Sequence, residues 1–117
     1  MRKNLSKNER INKRGNIRRL FTGARRFSGD GVKLLITANQ LETNRILISI
    51  TRSYGNAVSR NRAKRIIREI FRTTKTSVIT GYDLGFIVYP GELTYGERKE
   101  QILLLYKKAG ILLPTAE

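Results

Sequence analysis

The sequence predicts one α+β domain, a single small sheet packed by helices in the order α-β-β-(β)-α-β-α. Three features carry that prediction. Ala63, Ile66, Ile67, Ile70 and Phe71 recur at helical spacing, marking one amphipathic stripe. Ile46, Ile48 and Ile50 alternate with Leu47, Ser49 and Thr51, the period of a half-buried strand. The length, 117 residues, suits one hydrophobic core and is short for two ordinary domains. A core of that size needs no disulfide or metal to hold it.

Residues 1–15 are basic and Asn-rich and are expected to form a flexible arm. Asn16 is placed to cap a short helix, with Ile17, Leu20 and Phe21 on one face and an end near Gly23. Gly29-Asp30-Gly31 signals a turn before a strand at about 32–38. The polar stretch Asn39–Asn44 leads to a second strand at about 45–52, and residues 38–44 leave room for an extra strand. Gly55 breaks that strand, and Asn56 is a good N-cap for a helix at about 57–73. A strand at about 82–89 follows Gly81; its apolar second half (Leu84, Phe86, Ile87, Val88) marks it as central in the sheet. Thr94 and Glu97 form a capping box for a last helix at about 95–109, closed by Gly110. The folded domain is thus expected over 16–112, with a tail at 113–117.

Charge is the outlier of the composition. Lys and Arg number 24 against nine Asp and Glu, a net +15. Residues 1–72 hold nineteen basic and four acidic residues, whereas 73–117 hold five of each. Such an excess points to a polyanionic partner bound by the first two-thirds of the chain. There is no Cys, hence no disulfide, thiolate nucleophile or Cys-ligated zinc. There is no His either, which removes the Ser-His-Asp triad and the usual neutral-pH general base. The charged N-terminus lacks the apolar core of a secretory signal, and the longest apolar runs, Ile102–Leu105 and Ile111–Leu113, are far short of a bilayer span. A soluble, cytoplasmic protein with no membrane partner is expected, monomeric when free.

The chemistry concentrates in Gly55–Arg72, GNAVSRNRAKRIIREIFR. Opposite the apolar stripe, Asn61, Arg65, Arg68 and Arg72 fall in one line, with Lys64 beside it and Arg60 and Arg62 in the first turns. A row spaced by about one helical turn, ~5.4 Å, can follow a phosphate backbone, and Arg forks grip phosphate with two bonds. The helix N-terminus adds free N–H groups. A solvated basic face is the plainer reading. Against it, only Glu69 offsets the cations between 60 and 72, which are mostly Arg and repel one another unless a polyanion is bound.

This run resembles the signature of the bacterial ribonuclease P protein component, an Arg-Asn-Arg motif inside a GNAVxRNRxKRxxRE pattern. Ile17–Phe21 and Gly23 resemble the family's aromatic helix, and Tyr82–Pro90 and Thr94–Gly110 match in order and length. The resemblance implies the protein subunit of a ribonucleoprotein endonuclease. Its RNA subunit, using Mg²⁺, removes the 5′ leader of precursor tRNA, and the catalytic chain of events is not in the protein. It implies RNA-binding roles for Asn56, Arg60, Asn61, Arg62, Lys64, Arg65 and Arg68, to which the charge row adds Arg72. It implies a leader-binding cleft between the first helix and the sheet, at Ile17, Phe21, Leu35 and Arg52, and a left-handed βαβ crossover through the Arg-Asn-Arg helix. Topology rules alone favour the right-handed one.

The chain departs from the family pattern at three places: Ile17 and Leu35 stand where aromatics are usual, and Arg52-Ser53 where two basic residues often precede the Gly-Asn. Each lost aromatic forgoes roughly 1–3 kcal/mol of stacking per base. Other signals are bland. Glu97 and Glu100 make a weak carboxylate pair, one already used in a capping box, and Gly23, Gly29 and Gly31 lack a phosphate-loop ending. Tyr54 suits a base or the sheet equally, and Arg98, in the neutral third, is expected to matter little to RNA binding or stability. The alternative function is a structural RNA-binding protein, such as a ribosomal or RNA-chaperone component, which explains the charge but not the motif order.

Overall fold

The computed structural model describes residues 9–91 and 93–114. Its elements are α1 (Arg14–Gly23), β1 (Arg25–Gly29), β2 (Val32–Ala38), β3 (Arg45–Ile50), α2 (Ala57–Thr73), β4 (Tyr82–Val88) and α3 (Tyr95–Ala109). One mixed sheet runs in the order β1-β2-β4-β3. β1–β2 and β2–β4 are antiparallel, and β3–β4 is parallel, joined through α2. β4 is therefore internal, as its apolar run requires.

Strand alternation sorts side chains onto two faces. One carries Val32, Leu34, Ile36, Ile46, Ile50, Leu84, Phe86 and Val88, all buried. The stripe of α2 (Ala63, Ile67, Ile70, Phe71) and the inner face of α3 (Ile102, Leu105, Tyr106, Ala109) join them in one cluster. The other face is covered only in part: α1 lays Leu20 on Leu35, with Ile11, Ile17, Leu47 and Ile87 around them. Gly85 lies directly below this contact. A Cβ on Gly85 would stand 3.4 Å from Leu20 Cδ1 and 3.5 Å from Leu35 Cβ.

Several expectations are corrected. The fourth strand is not in 38–44 but at Arg25–Gly29, an edge strand whose only apolar residue, Phe27, packs on the core. Residues 39–44 instead close on their own side chains: Asn39 Oδ1 accepts from Leu41 N at 2.8 Å, and Asn39 Nδ2 donates to the Thr43 carbonyl at 3.1 Å. Helix α1 begins before Asn16, with Lys13 at its N-cap and no capping side chain; Asn16 Oδ1 accepts from Arg19 Nη2 at 2.7 Å. Of the expected arm, residues 1–8 lie outside the described residues, while Glu9–Ile11 pack along β3. Ile11 N donates to the Ile46 carbonyl at 3.0 Å, and Glu9 pairs with Lys75.

Arg98 departs furthest from expectation. It is 5% exposed, and its Nη1 donates to Gln101 Oε1 at 3.0 Å and towards the Asp30 carbonyl at 3.4 Å, tying α3 to the β1–β2 turn. Gly31 at that turn has φ 79°, and its Cβ position lies 3.4 Å from Arg98 Nη1. Burial holds the guanidinium pKa below its ordinary value. Arg98→Ala is therefore expected to lower stability by about 1–3 kcal/mol, through the unpaired groups it leaves. Thermal unfolding checks this; an unchanged melting temperature would contradict it.

Candidate nucleic-acid interface

Helix α2 forms where the sequence places it. Asn56 Oδ1 accepts from Ser59 N at 2.9 Å, fixing the first turn, and the buried stripe orients the opposite face to solvent. Asn61, Arg62, Arg65 and Arg68 are exposed, and no described acidic group pairs with these three arginines. Lys64 is half-buried. Two members of the expected set already have partners within the chain. Arg60 Nη1 donates to the Thr51 carbonyl at 3.0 Å, pinning the helix start to the end of β3. Arg72 is half-buried and grips Glu69 with two bonds, one of 3.1 Å from Nε. That bond holds the Glu69 carboxyl below its usual pKa and Arg72 above its own. The available row thus runs Asn61–Arg65–Arg68, with Arg62 and Lys64 beside it.

The N-terminal segment extends this face. Arg10 and Asn12 line a groove of about 210 Å³ with Lys64, Arg68 and Ile46–Ile48. No sequence pattern marks Arg10, because its position follows from the segment's pairing with β3.

On the other face of the sheet, the four residues expected at a cleft divide. Leu35 is fully buried beneath Leu20, so its side chain anchors α1 and does not face a cleft. Ile17 is half-buried in the same cluster. Phe21 is exposed at 37%, and its carbonyl accepts from Arg26 Nη2 at 2.6 Å. Arg52 is exposed in a 3-10 turn, Arg52–Tyr54, that leads into α2. Between α1 and that turn, the sheet is open along Lys33, Ile87 and Ser49, which pair across three strands and are all half-buried. The strip offers one apolar side chain, Ile87, between a cation and a hydroxyl. Helix α1 carries three exposed arginines, Arg14, Arg18 and Arg19. The connection Thr51–Asn56 links the two faces, carrying Arg52 at one end and the α2 cap at the other.

No three of the described His, Cys, Asp and Glu residues cluster as a metal site. Glu97 is occupied in the capping box, its Oε1 accepting from Thr94 N at 2.8 Å and its N–H donating to Thr94 Oγ1 at 3.1 Å. No described helix is long and apolar enough to cross a membrane.

With this geometry in place, the chain can be set beside known proteins. The family model Ribonuclease P matches residues 5–110. The ribonuclease P protein component of Petrotoga mobilis is 37% identical over 109 residues, covering 87% of this chain and 92% of its own. That of Clostridium novyi is 32% identical, covering 92% and 98%. Among solved structures, a mutant RNase P protein from Staphylococcus aureus superposes with a TM-score of 0.83 at 25% identity, covering 91% of this chain and 92% of that one. The RNase P protein of Thermotoga maritima gives 0.78 at 26%, covering 86% and 96%.

Proposed function

The chain belongs to the ribonuclease P protein family, and from that premise we propose that it works by binding RNA on two faces while the RNA subunit performs the cleavage. It is the protein subunit of a tRNA-processing endoribonuclease, and its partner is the ribonuclease P RNA. The observation that carries the proposed division of labour is the α2 row of exposed cations, with no acidic partner and no acidic metal-type cluster among the described residues.

In this reading α2, through Asn61, Arg62, Lys64, Arg65 and Arg68 with Arg10 alongside, holds the catalytic RNA by its phosphates. Each Arg presents a planar fork that accommodates two phosphate oxygens. The strip between α1 and Arg52 receives the single-stranded 5′ leader of precursor tRNA. Lys33, Arg52 and the α1 arginines neutralise its phosphates, and Phe21 and Ile87 offer apolar contact. Hydrolysis of a phosphodiester draws on an activated water and a stabilised leaving oxygen. The described acids are dispersed, Glu97 in a capping box, Asp83, Glu69 and Glu9 in ion pairs with Arg45, Arg72 and Lys75, and Asp30, Glu42 and Glu100 in no cluster with them; Mg²⁺ would then be held by the RNA. The protein's part is to position the leader and to screen phosphate repulsion, as a monomer before assembly. The family match over 5–110 disfavours a ribosomal or chaperone role.

Reconstitution tests this. Protein stripped of RNA should not cut precursor tRNA at any Mg²⁺ concentration. Adding a bacterial ribonuclease P RNA should give 5′ maturation at lower Mg²⁺ than the RNA needs alone. Cleavage by the RNA-free protein, lost in Glu97→Gln or Glu100→Gln, would overturn the proposal.

A further inference from the structure

The open strip ends on an aromatic that the sequence pattern did not single out. In β4, Leu84, Phe86 and Val88 face the core, so Gly85 and Ile87 face the α1 side, and the same alternation carried one residue past the strand puts Tyr89 on that side. Tyr89 follows the last strand residue but stays in the ladder, its N–H donating to the Gly31 carbonyl at 2.9 Å. On its other side, Thr51 N donates to the Val88 carbonyl at 3.0 Å, which sets Thr51 next to Tyr89 and Arg52 just beyond. From Gly85, beneath α1, to Tyr89 is four strand residues, ~13 Å along the floor. The order outward from α1 is therefore the covered row of Leu35, Gly85 and Leu47, the open row of Lys33, Ile87 and Ser49, then Tyr89 and Thr51.

Burial separates Tyr89 from a core tyrosine. Tyr106 is fully buried, edge-on to Phe86. Tyr89 is 37% exposed, comparable with Phe21. Meanwhile Ile17 and Leu35 are packed into the cluster under α1 and offer no ring. The strip has an exposed ring on its helical wall, Phe21, and another at its far end, Tyr89, with Lys33 and Arg52 as cations between and beside them.

We propose that Tyr89 is a specificity-determining residue for the leader, stacking on one of its bases at the end of the strip away from α1. The inference rests on the leader reading above and adds to it a residue and a chemistry. A π-face accepts any base, with purines preferred because they stack more strongly. The hydroxyl is not needed for this, so phenylalanine should serve equally well.

The test uses holoenzyme reconstituted with a bacterial ribonuclease P RNA, and compares affinity for precursor tRNA carrying a short leader with affinity for the same tRNA without one. Tyr89→Ala should reduce that ratio about tenfold, while Tyr89→Phe should keep it. A purine at the stacked leader position should bind better than uridine in the unaltered holoenzyme, and the preference should vanish in Tyr89→Ala. A change in overall stability alone leaves the ratio untouched, so the ratio isolates the contact. If the unaltered holoenzyme favours leader-bearing substrate and Tyr89→Ala retains the full ratio, the Tyr89 proposal is overturned and the leader reading stands. If the unaltered holoenzyme shows no such preference, the leader reading fails and the proposal fails with it.

Discussion

Replacing Arg45 with alanine is expected to destabilise the fold by about 3–5 kcal/mol, the usual consequence of removing one partner of a buried ion pair. Asp83 of β4 is fully buried in the middle of the sheet. Arg45, its registered neighbour on β3, donates from Nε to Oδ1 at 2.8 Å and from Nη2 to Oδ2 at 2.7 Å. Asn39 Nδ2 adds a third bond at 3.0 Å. The carboxylate hydrogen bond raises the Arg45 pKa above its ordinary value. The Arg45 side chain keeps 17% of its surface, so water relieves the guanidinium in part, but it does not reach the carboxylate. Without Arg45 a buried negative charge keeps only Asn39. The melting temperature should fall by roughly 10–20 °C, and adding Asp83→Asn to Arg45→Ala should recover part of the loss by removing the stranded charge. A loss below ~1 kcal/mol would place the pair with exposed salt bridges. An Asp83→Asn addition that makes matters worse would show that the carboxylate is stabilised by something other than Arg45.

That pair was invisible to sequence reasoning because it depends on register between strands 38 residues apart. What was legible was local. The α2 stripe and Asn56 cap each lie within a few residues of what they specify, and so do the α3 capping box and Gly110; both helices fall at the expected residues. β1 was not legible because Arg25 and Arg26 read as loop. Their long side chains are useful at a sheet edge: Arg25 stands over the Phe27 ring at 5.3 Å and donates to the Ala109 carbonyl at 2.7 Å. Within Val32-Lys33-Leu34-Leu35-Ile36, the three consecutive apolar residues Leu34-Leu35-Ile36 carried the signature of a strand stretch covered on both faces, the signal by which Leu35 could have been placed under a helix. The cationic face of α2 was legible as a row, though the bidentate capture of Arg72 by Glu69 shortens it. That capture was readable from the i,i+3 spacing alone. Arg98 and Arg10 were not, since each gains its neighbours only when distant segments meet.

The central claim is that the exposed row on α2, and not bulk charge, holds the ribonuclease P RNA. Arg65 and Arg68 are exposed and lie opposite the buried stripe, so replacing both with alanine should leave thermal stability nearly unchanged. If each meets a phosphate, the pair should reduce the slope of log affinity against log salt by about 1.4–1.8 and weaken binding roughly ten- to a hundredfold at moderate salt. Lys107 and Lys108, exposed in the last turn of α3, make a matched control of equal charge. The direct measurement is the affinity of the reconstituting RNA for unaltered protein, Arg65→Ala/Arg68→Ala and Lys107→Ala/Lys108→Ala across a salt series. The account predicts a large loss and a shallower slope for the α2 variant, and near-unaltered binding for the α3 variant. Equal losses from the two variants would contradict it.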